Sequence, residues 1–190
     1  MKKEDLILVI DMQNVYREGQ AWACRDFDGA AARTLRVAEA ADCEGVPLMV
    51  TAFLPPAAPE GDWRDYNEKY AAINADPWLN ALADAIAPLA DTHPYCPKST
   101  YNALDCPEIR AAALRARDRG GRVVLTGVVA ECCVLWTACA AIDLGCHVLY
   151  LTDAVSGLDR PKEAASELVL SGLAPLQCEL MTTADYLSET

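Results

Sequence analysis

The stretch with the most reactive potential runs from Gly121 to Gly145 and contains the adjacent thiols Cys132 and Cys133. Arg122 to Leu125 is a short β-branched apolar run, the pattern of a buried strand. Thr126-Gly127 breaks it, and Cys133 to Leu144 reads as an Ala-rich helix closed by Gly145. A thiol on such a strand-to-helix turn lies beside unpaired N–H groups and the positive end of the helix dipole, which favour thiolate over thiol. That is the setting of a nucleophile. Two further side chains follow strand-like segments: Asp11 directly after Leu6–Ile10, and Lys98 after the proline-interrupted stretch Asp91–Pro97.

These residues must be positioned by the elements around them. Leu6–Ile10 is a continuous apolar run, as in a central parallel strand buried on both faces. Asp26 or Asp28 can cap a helix from about Gly29 to Glu44, ended by Gly45 and Pro47. Val46–Phe53 reads as the second strand and the Pro55–Gly61 segment as a loop. Residues 62–75 read as irregular or short helix, and Asp76-Pro77 opens a helix to about Ala87. Asp91–Pro97 is a weak third strand, Cys106-Pro107 opens a helix to about Arg119, and Cys146–Leu151 is a fifth strand. A helix over Pro161–Leu170, a strand over Gln177–Met181 and a short helix over Thr183–Leu187 complete the chain.

Strand and helix alternate without a break in composition, so residues 1–190 are read as one α/β domain. The expected architecture is a doubly wound, Rossmann-like parallel sheet of order 3-2-1-4-5-6 with helices on both faces. In such sheets the site lies at the carboxyl ends of the strands where the order reverses, here between the first and fourth. Asp11 and Cys133 come from those two strand ends.

Composition narrows the function classes. The net charge of −12 argues against a nucleic-acid partner. No window approaches the roughly 18 apolar residues of a membrane span, and the first residues lack a signal-peptide cleavage pattern. A cytoplasmic location is expected. Nine cysteines, an odd number without any CxxC pair, argue against a disulfide framework, and with only two histidines a structural zinc site has poor material. Most of the cysteines are read as small buried apolar residues. No Gly-rich phosphate-binding motif follows a strand.

DMQN at 11–14, KSTYNAL at 98–104 and GVVAECCVLWTACAAIDLG at 127–145 resemble, in order and spacing, the three signatures of the isochorismatase-like cysteine hydrolases. That superfamily includes nicotinamidases, carbamoylsarcosine amidohydrolases, ureide hydrolases and isochorismatases. The resemblance implies an Asp11-Lys98-Cys133 triad in which Asp11 is the base, Lys98 balances charge and Cys133 attacks a carbonyl carbon. Cys133 is preferred over Cys132 because the family thiol directly precedes valine. The resemblance also implies an oxyanion hole from the backbone N–H groups of Ala130 and Cys133, with a cis peptide between Val129 and Ala130.

The departures from the family pattern bear on substrate. Nicotinamidases carry an Asp-x-His metal site after the second strand, whereas this chain reads Thr51-Ala52-Phe53-Leu54-Pro55. No metal and no cofactor are therefore expected. A threonine common in the family is Ala130 here. True isochorismatases often lack the cysteine, because vinyl-ether hydrolysis needs an acid and no thiol. The expectation is a metal-independent hydrolase cleaving the C–N bond of a small amide, carbamoyl or ureide substrate through a thioester. The rival readings are a vinyl-ether hydrolase and a non-catalytic α/β binding or assembly protein. Tyr16, Phe53, Trp63 and Tyr101 are the candidate substrate contacts, and a homo-oligomer, dimer or larger, is the expected assembly.

Overall fold

A computed structural model describes residues 1–189. Its sheet comprises β1 (Leu6–Ile10), β2 (Leu48–Phe53), β3 (Tyr95–Lys98), β4 (Arg122–Val128), β5 (His147–Ser156) and β6 (Cys178–Met181). All neighbouring strands pair in parallel, in the order β3-β2-β1-β4-β5-β6. The helices are α1 (Phe27–Glu44), α2 (Trp63–Lys69), α3 (Ala71–Asn74), α4 (Pro77–Asn80), α5 (Ala87–Thr92), α6 (Pro107–Asp118), α7 (Leu135–Asp143), α8 (Arg160–Ser171) and α9 (Thr183–Ser188). None of them is long and apolar enough to cross a membrane.

The two-residue period of the strands sorts their side chains into two cores. Leu6, Leu8, Ile10, Val123 and Leu125 pack with Ile109, Ala113, Ala138 and Leu170 from α6, α7 and α8. Ile7, Val9 and Val124 face the opposite way, onto Val37, Ala38 and Ala41 of α1 and Tyr186 of α9. The small alanines let α1, α6 and α7 approach the sheet closely. This double burial explains why the central strands read as unbroken apolar runs.

Several boundaries differ from the sequence reading. The helix expected over 76–87 is only the single turn α4, capped by Asp76 through Trp78 N at 2.8 Å. The chain after it is drawn against the loop that follows β1: Asn14 N donates to Ala81 O and Ala83 N to Met12 O, each at 2.9 Å. Helix resumes only at Ala87, with Pro88 in its first turn where a missing N–H is harmless. As α5 occupies residues 91 and 92, β3 begins at Tyr95. The fifth strand runs on to Ser156, its register against β4 shifting between Leu125 and Gly127.

The amino end of the sheet is tied by a buried charge cluster. Arg122 donates to both oxygens of Asp5 and pairs bidentately with Glu189, while the Tyr186 hydroxyl donates to Asp5 at 3.2 Å. Burial by itself would raise the Asp5 carboxyl, but the hydrogen bonds and charge of Arg122 outweigh it and hold Asp5 below its ordinary value. The stability from this depressed carboxyl is complete above the ordinary carboxylate range and is lost as pH falls through the depressed value. Arg122→Leu strands Asp5 without its cation and is expected to cost about 3–5 kcal/mol in urea unfolding at neutral pH. The double variant Asp5→Asn/Arg122→Leu should recover much of that loss; equal losses would contradict the pairing.

Candidate active site

The carboxyl ends of β1, β3 and β4 converge on one point. Asp11 leaves β1 in a left-handed conformation, with φ 51°, which is uncommon for a residue bearing a Cβ. It is held there by hydrogen bonds from its own N–H to Thr51 O and from Gln13 N to Asp11 O at 2.7 Å. Thr51 Oγ1 donates to Asp11 Oδ1 at 2.6 Å. Gln13 staples the same loop to β2: its Nε2 donates to Phe53 O at 3.0 Å, and its Oε1 accepts from Phe53 N at 2.8 Å. The DMQN segment thus supplies one carboxylate and the clamp that aims it.

Lys98, at the end of β3, lies across the sheet from this carboxylate. Its Nζ donates to Asp11 Oδ2 at 2.6 Å and to Thr100 O at 3.0 Å, and stands 3.4 Å from Cys133 Sγ. Its ammonium also sits over the Phe53 ring, 5.4 Å from the centroid. Burial alone would lower the Lys98 pKa, but the charge of Asp11 and the hydrogen bonds to Asp11 and Cys133 more than offset it and the net direction is up. Lys98 is therefore a held cation at neutral pH.

Cys133 lies in one wide, π-type turn, Ala130–Val134, that leads into α7. Gly127 makes this approach possible. Its φ is 107°, and a Cβ there would stand 2.1 Å from Ile10 O, so β4 can pass this close to β1 only without a side chain. The cis peptide falls between Val128 and Val129, one residue earlier than the expected Val129–Ala130 bond. Correspondingly Val129 lines the cavity over Cys133, whereas Ala130 is wholly buried behind it, its side chain turned toward Gly157.

The expected acidic thiol is also corrected. Burial pushes the Cys133 thiol up, the Asp11 charge pushes it further, and the opposing pull of Lys98 does not compensate. The resting sulfur is a thiol with a carboxylate and an ammonium packed against it. Cys132 lines the same cavity, but the hydrogen bond from Lys98 reaches only Cys133.

The cavity over Cys133 measures about 200 Å³. Its wall is an aromatic box of Tyr16, Trp22, Phe53, Tyr66, Tyr70 and Tyr101, with Leu158 on the side of β5. Of the four candidates from sequence, Tyr16, Phe53 and Tyr101 line it. Trp63 does not; it stands behind the wall, 5.2 Å from Tyr66 and Tyr101 between ring centroids. Trp22, Tyr66 and Tyr70 were missed because nothing local marks them: Trp22 lies in the coil before α1, and the two tyrosines share a four-residue helical spacing common on any helix face. Leu158 is fixed by Glu131, whose carboxylate accepts from Leu158 N at 3.3 Å, and by Glu163, which accepts from Gly157 N at 3.0 Å.

At the end of β2, the place where the family resemblance puts the metal ligands of nicotinamidases, the Thr51 hydroxyl is engaged by Asp11 and Phe53 presents a ring to the cavity. Neither side chain offers an imidazole or carboxylate, so this donor set does not fit a divalent cation.

The isochorismatase domain model matches residues 5–185, and the chain belongs to that family of hydrolases. Among solved structures it is similar to a cysteine hydrolase from Pseudomonas syringae pv. phaseolicola, with TM-score 0.82 and 19% identity over 98% of this chain and 92% of that one. A putative hydrolase of the isochorismatase family from Chromobacterium violaceum matches with TM-score 0.73 and 21% identity over 98% and 93% of the two chains. YcaC of Escherichia coli, described as an octameric hydrolase of unknown specificity, matches with TM-score 0.72 and 21% identity over 100% and 80%. At these identities the likeness is one of fold. A search of curated proteins found no match.

Asp11→Asn removes the negative charge that opposes thiol ionisation while Lys98 stays in place. Alkylation of Cys133 by iodoacetamide, followed across pH by peptide mapping, should therefore shift to lower pH in Asp11→Asn and to higher pH in Lys98→Met. Coincident profiles for wild type and Asp11→Asn would mean that the carboxylate does not act on this sulfur.

Proposed function

We propose that this protein is a cysteine amidohydrolase that cleaves the C–N bond of a small, uncharged amide, carbamoyl compound or ureide without a metal. The observation that carries the reading is the contact set of Lys98 Nζ, 2.6 Å from Asp11 and 3.4 Å from Cys133 Sγ, beneath a ring-lined cavity.

An amide carbonyl is a poor electrophile, so its attack needs a strong nucleophile and fixed donors for the developing oxyanion. With the resting thiol pushed up by burial, the proton leaves during attack rather than before it. Asp11 takes the Sγ–H proton as Sγ bonds to the carbonyl carbon. The oxyanion is assigned to the backbone N–H groups of Val129 and Cys133, Val129 replacing Ala130 because it borders the cavity. As the tetrahedral adduct collapses, the C–N bond breaks and the proton on Asp11 passes to the leaving nitrogen, releasing ammonia or an amine. Asp11 then deprotonates a water that attacks the thioester, freeing the acid or carbamate and restoring the Cys133 thiol. Lys98 keeps its proton throughout and holds the carboxylate in line.

The cavity wall supports an uncharged substrate. None of its lining side chains is a lysine, arginine or histidine that could meet a carboxylate. Burial and the nearby charge of Asp11 push the Tyr16 phenol up, and burial does the same for Tyr66 and Tyr101, so these hydroxyls stay protonated at neutral pH. A carboxylate-bearing vinyl ether of the isochorismate kind would enter this box without a counter-ion, which favours the amide. Self-association is part of the proposal: Trp136, Leu168, Val169 and Leu176 expose apolar surface suited to a second copy.

An ammonia-release screen across small uncharged amides and ureides tests the reading. Turnover should survive dialysis against a chelator and fall by at least about 10³-fold in both Cys133→Ala and Asp11→Asn. A vinyl-ether hydrolase would keep its activity in Cys133→Ala and lose it in Asp11→Asn, and that outcome would displace the amidase assignment.

A further inference from the structure

A second recess, about 510 Å³ in volume, runs along β3 and the turn into α6 and is bordered by Cys96, Cys106 and Glu108. The two thiols lie ten positions apart in sequence, but the fold brings them together. Cys96 is a buried residue of β3 on the same face as Lys98, Cys106 precedes α6, and Glu108 lies in the first turn of that helix. One donor atom from each, two Sγ and a carboxylate oxygen, lie within 4.8 Å of one another. The Cys106 thiol already donates to Glu108 Oε2 at 3.0 Å. The reaction assigned to Asp11, Lys98 and Cys133 uses none of these three.

We propose that Cys96, Cys106 and Glu108 form a binding site for a zinc-type divalent cation, with the fourth coordination position open to the recess. Two thiolates and a carboxylate suit a borderline-soft ion with no geometric preference of its own, whereas magnesium or calcium would require oxygen donors throughout. Around a tetrahedral zinc with Zn–S near 2.3 Å, neighbouring donor atoms stand roughly 3.3–3.8 Å apart. The contraction needed here falls on the side chains of Cys106, half-buried, and Glu108, exposed, which are free to rotate. The recess gives the ion a path in and room for a water on the fourth position.

The surroundings favour a preformed site. The loop between β3 and α6 is held by the Asp105 carboxylate, which accepts from Thr100 Oγ1 at 2.5 Å and from Asn102 Nδ2 at 2.8 Å. Ala103 N donates to Thr137 Oγ1 of α7 at 2.9 Å. Uptake breaks two Sγ–H bonds, forms two metal–sulfur bonds and releases two protons to solvent, with no electron transferred. The bound ion would staple β3 to α6 and close the loop whose Thr100 carbonyl accepts from Lys98.

Cobalt(II) titration of the reduced, metal-stripped protein reads the site directly. One equivalent should give a thiolate-to-cobalt charge-transfer band with intense tetrahedral d–d absorption, and equimolar zinc should bleach it. Cys106→Ser should abolish the band, Glu108→Gln should weaken cobalt affinity about tenfold, and Cys133→Ser should leave the spectrum intact. Glu108 is exposed, so Glu108→Gln keeps the test decisive even if Cys106→Ser fails to fold. Absence of one-equivalent uptake, a band surviving Cys106→Ser, unchanged affinity in Glu108→Gln, or a band lost in Cys133→Ser would each overturn the proposal.

Discussion

The structure of the site depends on a single ion pair out of reach of solvent. Lys98 and Asp11 meet at 2.6 Å with side-chain exposures of 2% and 0%. Two charges stripped of water are costly unless each is the other's counter-ion and their remaining hydrogen-bonding capacity is used. Here it is used: Thr51 fills the second carboxylate oxygen, and the Thr100 carbonyl and Cys133 sulfur take the other ammonium contacts. Each of these groups sits near or just beyond the end of β1, β2, β3 or β4, so four strands must register correctly before the full set of contacts can form.

That pair also explains the state of the sulfur. An ammonium alone beside a buried thiol would draw it toward thiolate. With Asp11 paired to the same ammonium, its charge opposes that pull, and burial sets the direction. The arrangement keeps a carboxylate and a buried sulfur in contact with the same ammonium, beneath the ring-lined cavity.

The architecture was legible in the sequence because double burial leaves a plain mark. Runs such as LILVI and RVVL carry no polar alternation, and alternation with helical segments fixes a parallel sheet. Asp11 and Cys133 could be placed together from sheet order alone, and the family motifs added Lys98. What could not be read depends on contacts between remote segments. The break between α4 and α5 arises from pairing with residues 12–14. The place of the cis bond and the choice between Val129 and Ala130 are one-residue matters within a run of similar apolar side chains. Trp22, Tyr66 and Tyr70 acquire meaning only through the cavity they surround. Cys96 and Cys106 sit ten apart, a spacing that signals nothing until β3 and α6 are docked.

The aromatic box is attached to the sheet differently from everything beneath it. α2, α3 and α4, which carry Tyr66 and flank Tyr70, contain no buried residue of their own. The rings of this segment hold one another, Tyr66 with Tyr70 at 4.7 Å and Trp22 with Tyr70 at 5.2 Å, while α4 is tied to the loop after β1 by Gln13 Nε2 to Asn80 O at 2.7 Å and Asn14 Nδ2 to Trp78 O at 3.0 Å. Replacing rings in this outer segment therefore redraws the shape of the chamber without disturbing the strands that aim the reactive groups. A lineage built on this plan can change what it recognises by drift in one peripheral stretch while inheriting its chemistry untouched.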